Sequence, residues 1–94
     1  MVLEVAVFDI TPGKQDAFAA VFPQARTFLD GSPGLRSLRM TQGIETPTRF
    51  VLLVEWDSLA EHEQFRASEA FPQWRALISP HFAGPPQVEH YDDL

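Results

Sequence analysis

The sequence predicts an α+β fold whose elements follow the order βαββαβ. Four short segments alternate side chains with the period of a strand, and two regions between them show the 3.6-residue period of helices. The two middle strands are joined by a loop too short for a parallel crossover. We expect one domain over residues 1–94. This order is that of the ferredoxin-like fold, a four-stranded antiparallel sheet with helices on one face.

The first half contains one strand and one helix. Residues Val2 to Phe8 form an apolar strand interrupted by Glu4. Thr11 and Pro12 predict the start of the helix, because threonine caps helices and proline suits the first turn. Pro23 predicts a kink or a break, since it lacks an N–H and clashes one turn back. The apolar stripe of the helix is Phe18, Val21, Phe22, Ala25, Phe28 and Leu29.

The second half begins with a hairpin. The strands Leu35 to Thr41 and Arg49 to Trp56 flank the loop Gln42 to Thr48, which contains a glycine and a proline. The second of these strands is apolar on both faces, with Phe50, Leu52, Val54 and Trp56 on one side. Both faces of this strand therefore need a cover.

Two short helices and an edge strand complete the chain. Ser58 and Glu61 have the spacing of a capping box, which predicts a helix start. Ser68 predicts a second helix start, and Pro80 its end. Residues Gln87 to Tyr91 are short and alternating, as expected of a last edge strand.

The composition excludes several classes. The net charge of −6 and the scatter of seven Lys and Arg residues argue against binding to nucleic acid. The absence of cysteine excludes disulfides and thiolate metal sites. His62, His81 and His90 lack the spacing of metal ligands, so no metal is expected. No apolar run is long enough to span a membrane, and no basic leader is evident, which predicts a cytoplasmic protein.

A partner chain is predicted from the open face of the sheet. Helices on one face leave the other face of the first and third strands exposed as an apolar patch. Such patches usually mark an interaction site. We therefore expect a homodimer in which two sheets pack face to face with two-fold symmetry.

The segment LLVEWDSLAEHEQFRASEAFPQWRALISPHF carries a resemblance to a known family. Trp56 ends the third strand, His62 follows on the next helix, and the runs F-R-x-S and W-R-x-L come after. This pattern, with the closing P-Q-V-E-H-Y, resembles the antibiotic biosynthesis monooxygenase domain of the dimeric α+β barrel superfamily. The resemblance implies a cavity between sheet and helices, and oxygenation without a cofactor of a small aromatic, quinol or polyketide-like metabolite. The alternative is a dimeric ligand-binding or stress-associated barrel protein with no catalysis.

Three residues are candidates for catalysis. Such an oxygenation needs a base, donors for the resulting anion and an apolar pocket. His62 is the first candidate for the base, because imidazole titrates near neutral pH. Arg66 lies one turn later on the same helical face, where it either serves the site, caps a helix or pairs with an acid such as Glu69 or Glu55. Trp56 offers an indole donor, or simply packs.

Further residues remain open between site and structure. Phe65, Trp74 and Phe82 either line a substrate pocket or belong to the core. Charged residues interrupt three strands, namely Glu4, Arg39 and Glu55; they form an ion network at a dimer interface, line the cavity or lie at strand ends in water. His81 and His90 are expected at the surface or an interface. The chain contains no asparagine, so the asparagine-containing triad of haem-degrading relatives cannot be assembled.

Overall fold

The computed structural model describes residues 1–94 and confirms the ferredoxin-like α+β fold. The sheet has the strand order β2-β3-β1-β4, and every neighbouring pair is antiparallel. The strands are β1 (Val2–Asp9), β2 (Leu35–Gln42), β3 (Arg49–Trp56) and β4 (Gln87–Asp92). The two longest apolar segments, β1 and β3, lie in the centre of the sheet because they need cover on both faces.

Three helices pack on one face of this sheet. They are α1 (Gln15–Ala25), α2 (Leu59–Arg66) and α3 (Ala70–Ile78). Short 3-10 turns follow α1 at Arg26–Phe28 and α3 at Ser79–His81. The two short helices predicted between Ser58 and Pro80 are therefore present. None of the helices has the length and apolar character needed to cross a lipid bilayer.

The ends of the helices differ from the sequence-based expectations. Helix α1 begins at Gln15, because Thr11 first accepts a hydrogen bond from the Lys14 N–H in a separate turn. The helix continues through Pro23 and ends two residues later, where a tighter turn takes over. At α2 the Ser58 hydroxyl donates to the Glu61 carboxylate, so the two side chains satisfy each other and not the backbone amides of a capping box.

The alternation of side chains along β1 and β3 places the core under one face of the sheet. In β3 all four predicted inward residues are buried, and in β1 every second residue is buried. The inward set comprises Glu4, Ala6, Phe8, Phe50, Leu52, Val54 and Trp56. Glu4 is the charged member of this set, and a buried carboxyl group needs polar partners around it.

The outer face of the sheet carries apolar side chains without a helix to cover them. The outward residues of β1 and β3 are half-buried and include Leu3, Val5, Val7, Val51 and Leu53. Val5 lies directly opposite Leu53, and Val7 lies opposite Val51. A shallow hollow of this face is also bordered by Arg39 and Glu55.

Gly34 lets the turn before β2 lie close to helix α2, and we expect its replacement to lower the stability of the protein. The residue has φ +80°, and a Cβ atom there would overlap the Glu61 side chain. We expect Gly34→Ala to lower the free energy of unfolding by about 1–3 kcal/mol through backbone strain and steric overlap. Chemical denaturation measures this change. Gly84→Ala is the matched control, because no atom lies within 4 Å of its new Cβ. Equal stability of the two variants would contradict the account.

Candidate active site

A cavity of about 440 Å³ lies between the inward face of the sheet and helices α2 and α3. Its volume falls within the range of small-molecule sites, about 300–1,000 Å³. Most of its wall is apolar and aromatic, and a few polar groups reach it from two helices and β1. The lining includes Glu4, Phe8, His62, Phe65, Arg66, Phe71, Trp74, Arg75, Ile78, Phe82 and Val88. A ring compound can therefore be held against apolar walls and oriented by few polar contacts.

Glu4 supplies the carboxyl group at the base of this cavity. Residues Val2 and Trp56 are paired across β1 and β3, so Glu4 and Trp56 share the inward face on neighbouring strands. The Trp56 Nε1–H donates a hydrogen bond to Glu4 Oε1 at 2.9 Å. No protein group donates to Glu4 Oε2, and Glu4 lines the cavity. One carboxyl oxygen is thus fixed by the indole, and the other is available to a ligand.

His62 lies against both members of this pair. Its ring stacks on the Trp56 indole with 5.2 Å between centroids and 17° between planes. Its Nε2 is 3.3 Å from Glu4 Oε1. The His62 side chain is 7% exposed, like that of Glu4. The tryptophan therefore positions the carboxyl group through its N–H and the imidazole through its face.

His90 adds a second imidazole to the cluster. It lies on β4 directly opposite Glu4 and is half-buried. Its Nε2 is 2.7 Å from His62 Nδ1. One of these two nitrogens must carry the proton, because two bare ring nitrogens cannot share a hydrogen bond. His90 was expected at the surface or an interface; the structure shows it half-buried on the edge strand, on the face of the sheet that carries Glu4.

The burial of the cluster shifts its protonation. Desolvation raises the pKa of Glu4 above its usual value, against the opposing effects of the Trp56 hydrogen bond and the positive charge of Arg66. Desolvation also lowers the pKa of His62 to about 4, with further lowering by His90 and by Arg66. His62 is therefore neutral at pH 7, with one ring nitrogen protonated and one free to accept.

Arg66 is the cationic residue whose charge reaches both groups of the cluster. It ends helix α2, one turn after His62, and lines the cavity. No carboxylate forms an ion pair with it, so neither Glu69 nor Glu55 is its partner. The residue is exposed to solvent and also lines the cavity. It is thus free to stabilise a negative charge that forms on a ligand.

The other residues singled out by sequence divide between cavity and core. The side chains of Phe65, Trp74 and Phe82 line the cavity, while Phe65 and Trp74 are also 5% exposed members of the core. Trp56 is fully buried behind His62 and does not line the cavity. His81 packs edge-on against Phe18, away from the cluster.

The three charged strand residues do not form one network. Glu4 lies on the inward face, whereas Arg39 and Glu55 border the hollow of the outer face. Glu55 accepts a hydrogen bond of 2.6 Å from the Ser37 hydroxyl, and no ion pair joins it to Arg39. No group of three His, Cys, Asp or Glu side chains is arranged to hold a metal ion.

Comparison with known sequences assigns the chain to a family. Residues 1–77 match the family model described as antibiotic biosynthesis monooxygenase. The uncharacterized protein YczJ of Bacillus subtilis (strain 168) is 34% identical over 95 residues, which span 100% of both chains. The chain therefore belongs to the antibiotic biosynthesis monooxygenase family, as the strand-to-helix motif around Trp56 indicated.

Solved structures support the same assignment. A Bordetella bronchiseptica protein assigned to the antibiotic biosynthesis monooxygenases superposes with a TM-score of 0.93 at 34% identity, covering 99% of this chain and 96% of that one. The cofactor-independent oxygenase SnoaB of Streptomyces nogalater superposes with a TM-score of 0.84 at 15% identity, covering 98% and 91%. At such low identity the second likeness shows the fold alone.

The low pKa of His62 predicts a defined loss of stability in acid. Between the unfolded value of 6.5 and the folded value of about 4, the unfolded chain binds more protons than the folded protein. The contribution of His62 to the free energy of unfolding should therefore fall as the pH drops from 6.5 to 4, while Glu4, with its raised pKa, acts in the opposite direction. His62→Gln should reduce this loss of unfolding free energy in acid. His81→Gln, which lies outside the cluster, should not change it. NMR of the imidazole nitrogens measures the titration directly, and a His62 midpoint near 6.5 would show that the account is wrong.

Proposed function

We propose that this protein is a cofactor-independent monooxygenase that oxidises a small aromatic, quinol or polyketide-like metabolite. The observation that supports this most strongly is the meeting of Glu4 and His62 at the wall of an apolar cavity of about 440 Å³. Arg66 lies at the same wall, and Trp56 holds the pair from behind. Base, anion stabiliser and dry pocket are the three parts that oxygenation of an easily ionised ring compound needs.

The proton of the substrate is taken by the pair of Glu4 and His62. His62 alone is a weak base, because its pKa is about 4. The carboxylate of Glu4 is a stronger base than an ordinary glutamate, since burial raises its pKa. Its free Oε2 accepts the proton, while His62 and Trp56 stand on the side of Oε1. Glu4 is therefore the base of this pair, and His62 lies beside it as a neutral neighbour.

Arg66, Trp56 and His90 support this step in different ways. The Arg66 guanidinium stabilises the substrate anion at the wall of the cavity. Trp56 is a positioning residue, because it contacts Glu4 and His62 and lies outside the cavity lining. The contact of 2.7 Å between His62 and His90 offers the proton a route from the buried cluster towards the half-buried edge strand.

The reaction balances with dioxygen as the co-reactant. For a ring methylene, removal of one proton gives a carbanion that passes an electron to dioxygen, and the two radicals join in a C–O bond. The peroxide takes back the proton, and loss of the second C–H proton then breaks the O–O bond. The products are a ketone and water. The carbon loses four electrons and dioxygen gains four. Phe65, Trp74 and Phe82 provide the apolar wall for the ring and for dioxygen.

The likeness to SnoaB supports this reaction class through the shared fold, since that protein is a cofactor-independent oxygenase. A ligand-binding protein without catalysis is the competing function, and the same apolar cavity would serve it. Turnover separates the two functions. Binding of a ring compound without oxygen consumption favours the second.

Oxygen uptake with anthrone, a tricyclic ketone with an acidic ring methylene, tests the proposed reaction. The wild-type protein is expected to consume oxygen above the buffer rate and to form anthraquinone. Glu4→Gln should lower the rate by about 10²-fold or more, because general-base catalysis contributes about 10²–10⁴-fold. His62→Gln should also lower it.

The matched control is Glu55→Gln, which makes the same change on the opposite face of the sheet. It should retain the wild-type rate. If Glu4→Gln were as active as the wild type, Glu4 would not be the catalytic base. No uptake by the wild type, with tight binding of anthraquinone, would assign the protein to the ligand-binding class.

We further propose that two chains form a homodimer through the open face of the sheet. The half-buried Val5, Val7, Val51 and Leu53 lie together there without a covering helix. A second copy of the same face would bury them by two-fold symmetry. The Glu55 and Arg39 side chains border this patch, where a polar rim is expected.

Sedimentation equilibrium tests the dimer. The wild-type protein should have about twice the chain mass of 10.6 kDa. Leu53→Asp should give the single-chain mass, because it buries an unpaired charge at the centre of the interface. Leu53→Met is the control and should remain dimeric, since it keeps an apolar side chain of similar size. A wild-type mass of one chain at micromolar concentration would refute the proposal.

A further inference from the structure

Two arginines at the cavity lack acidic partners although the chain is acidic. The net charge is −6, yet no carboxylate lies within ion-pair distance of Arg66 or Arg75. Both line the cavity. Three of the other arginines do pair with aspartates, in the pairs Arg26 with Asp30, Arg36 with Asp57 and Arg49 with Asp9. Of the three arginines without a carboxylate partner, Arg66 and Arg75 line the cavity, and Arg39 borders the outer face of the sheet.

The two arginines reach the cavity from neighbouring helices. Arg66 is the last residue of α2, one turn after His62. Arg75 lies in the last turn of α3, directly after Trp74 and one turn after Phe71. Helices α2 and α3 contact each other, so both guanidinium groups belong to the helical wall of the cavity. A single ligand that lies along this wall can contact both.

Arg66 also acts electrostatically on the buried cluster. The positive charge of Arg66 lowers the pKa of both Glu4 and His62, so this guanidinium lies close to the buried cluster. Glu4 forms no ion pair with Arg75.

We propose that the ligand of this cavity is an aromatic carboxylate, whose carboxylate binds Arg75, assisted by Arg66, while its ring lies against the aromatic wall. This inference rests on the proposed function in that it uses the same cavity, and it adds a permanent negative charge to the substrate. The planar guanidinium group can form a bidentate pair of hydrogen bonds with a carboxylate. Phe65, Trp74 and Phe82 contact the ring.

A neutral ring compound fits this wall less well. It would leave the guanidinium groups of Arg66 and Arg75 without a charged partner, whereas a carboxylate would pair with them. An anion approaching a chain of net charge −6 is otherwise repelled. Two unpaired cations at the cavity give such an anion a local attraction and fix which end of it enters first.

Isothermal titration calorimetry with two ring-matched probes tests the inference. The probes are anthraquinone-2-carboxylate and its neutral carboxamide. The wild-type protein should bind the acid about tenfold more tightly or better, because hydrogen bonds between charged groups contribute about that much. Arg75→Gln should abolish this preference, because it should weaken binding of the acid and leave binding of the amide unchanged. Arg36→Gln removes the same charge at a distant exposed pair and should keep the preference.

The outcomes separate this inference from the proposed function. Equal binding of acid and amide by the wild type would overturn the carboxylate site and leave the oxygenase proposal standing. Binding of neither probe would overturn both, since the cavity would then hold no ring compound. A preference for the acid that survives in Arg75→Gln would also overturn the role of Arg75.

Discussion

The hydrogen bond from Trp56 to Glu4 is the interaction on which the candidate site depends. A carboxyl group beneath the inward face of a sheet is costly unless it is paired, and the indole N–H at 2.9 Å provides the partner. The register of β1 against β3 brings the two side chains together. His62 then stacks on the same indole. Burial makes the carboxyl group more basic and keeps the imidazole neutral, so one local arrangement sets both protonation states.

Much of the fold follows from periodicity. The alternation in Arg49 to Trp56 predicted a strand apolar on both faces, and the structure confirms its bounds. The hairpin, the two short helices and the edge strand are also present. The predicted start of α1 at Thr11 and Pro12 was wrong, because Gly13 has φ +92° and completes a separate turn before the helix. The exact start of the helix depends on how this turn packs, and the helical spacing of apolar residues carries no information about that packing.

The candidate site was predicted in part. The spacing between Trp56 and His62 placed the histidine on the helix just after the strand end, and in the structure His62 lines the cavity. The role of Glu4 stayed open, because a charge in a terminal strand also fits a strand end in water. The contact of His90 with His62 was not predicted, for a related reason. The inward direction of His90 follows from the register of β4 against β1, and a register is set by tertiary packing.

The most direct test of the account is a crystal structure of the protein with anthraquinone bound. We expect the rings to lie in the cavity against Phe65 and Trp74, with a carbonyl oxygen within hydrogen-bond distance of Glu4 or His62. The Trp56 N–H should still donate to the carboxyl group in that complex. Anthraquinone bound elsewhere, or a Glu4 carboxyl group separated from the ligand by protein side chains, would contradict the claim that this buried cluster is an active site.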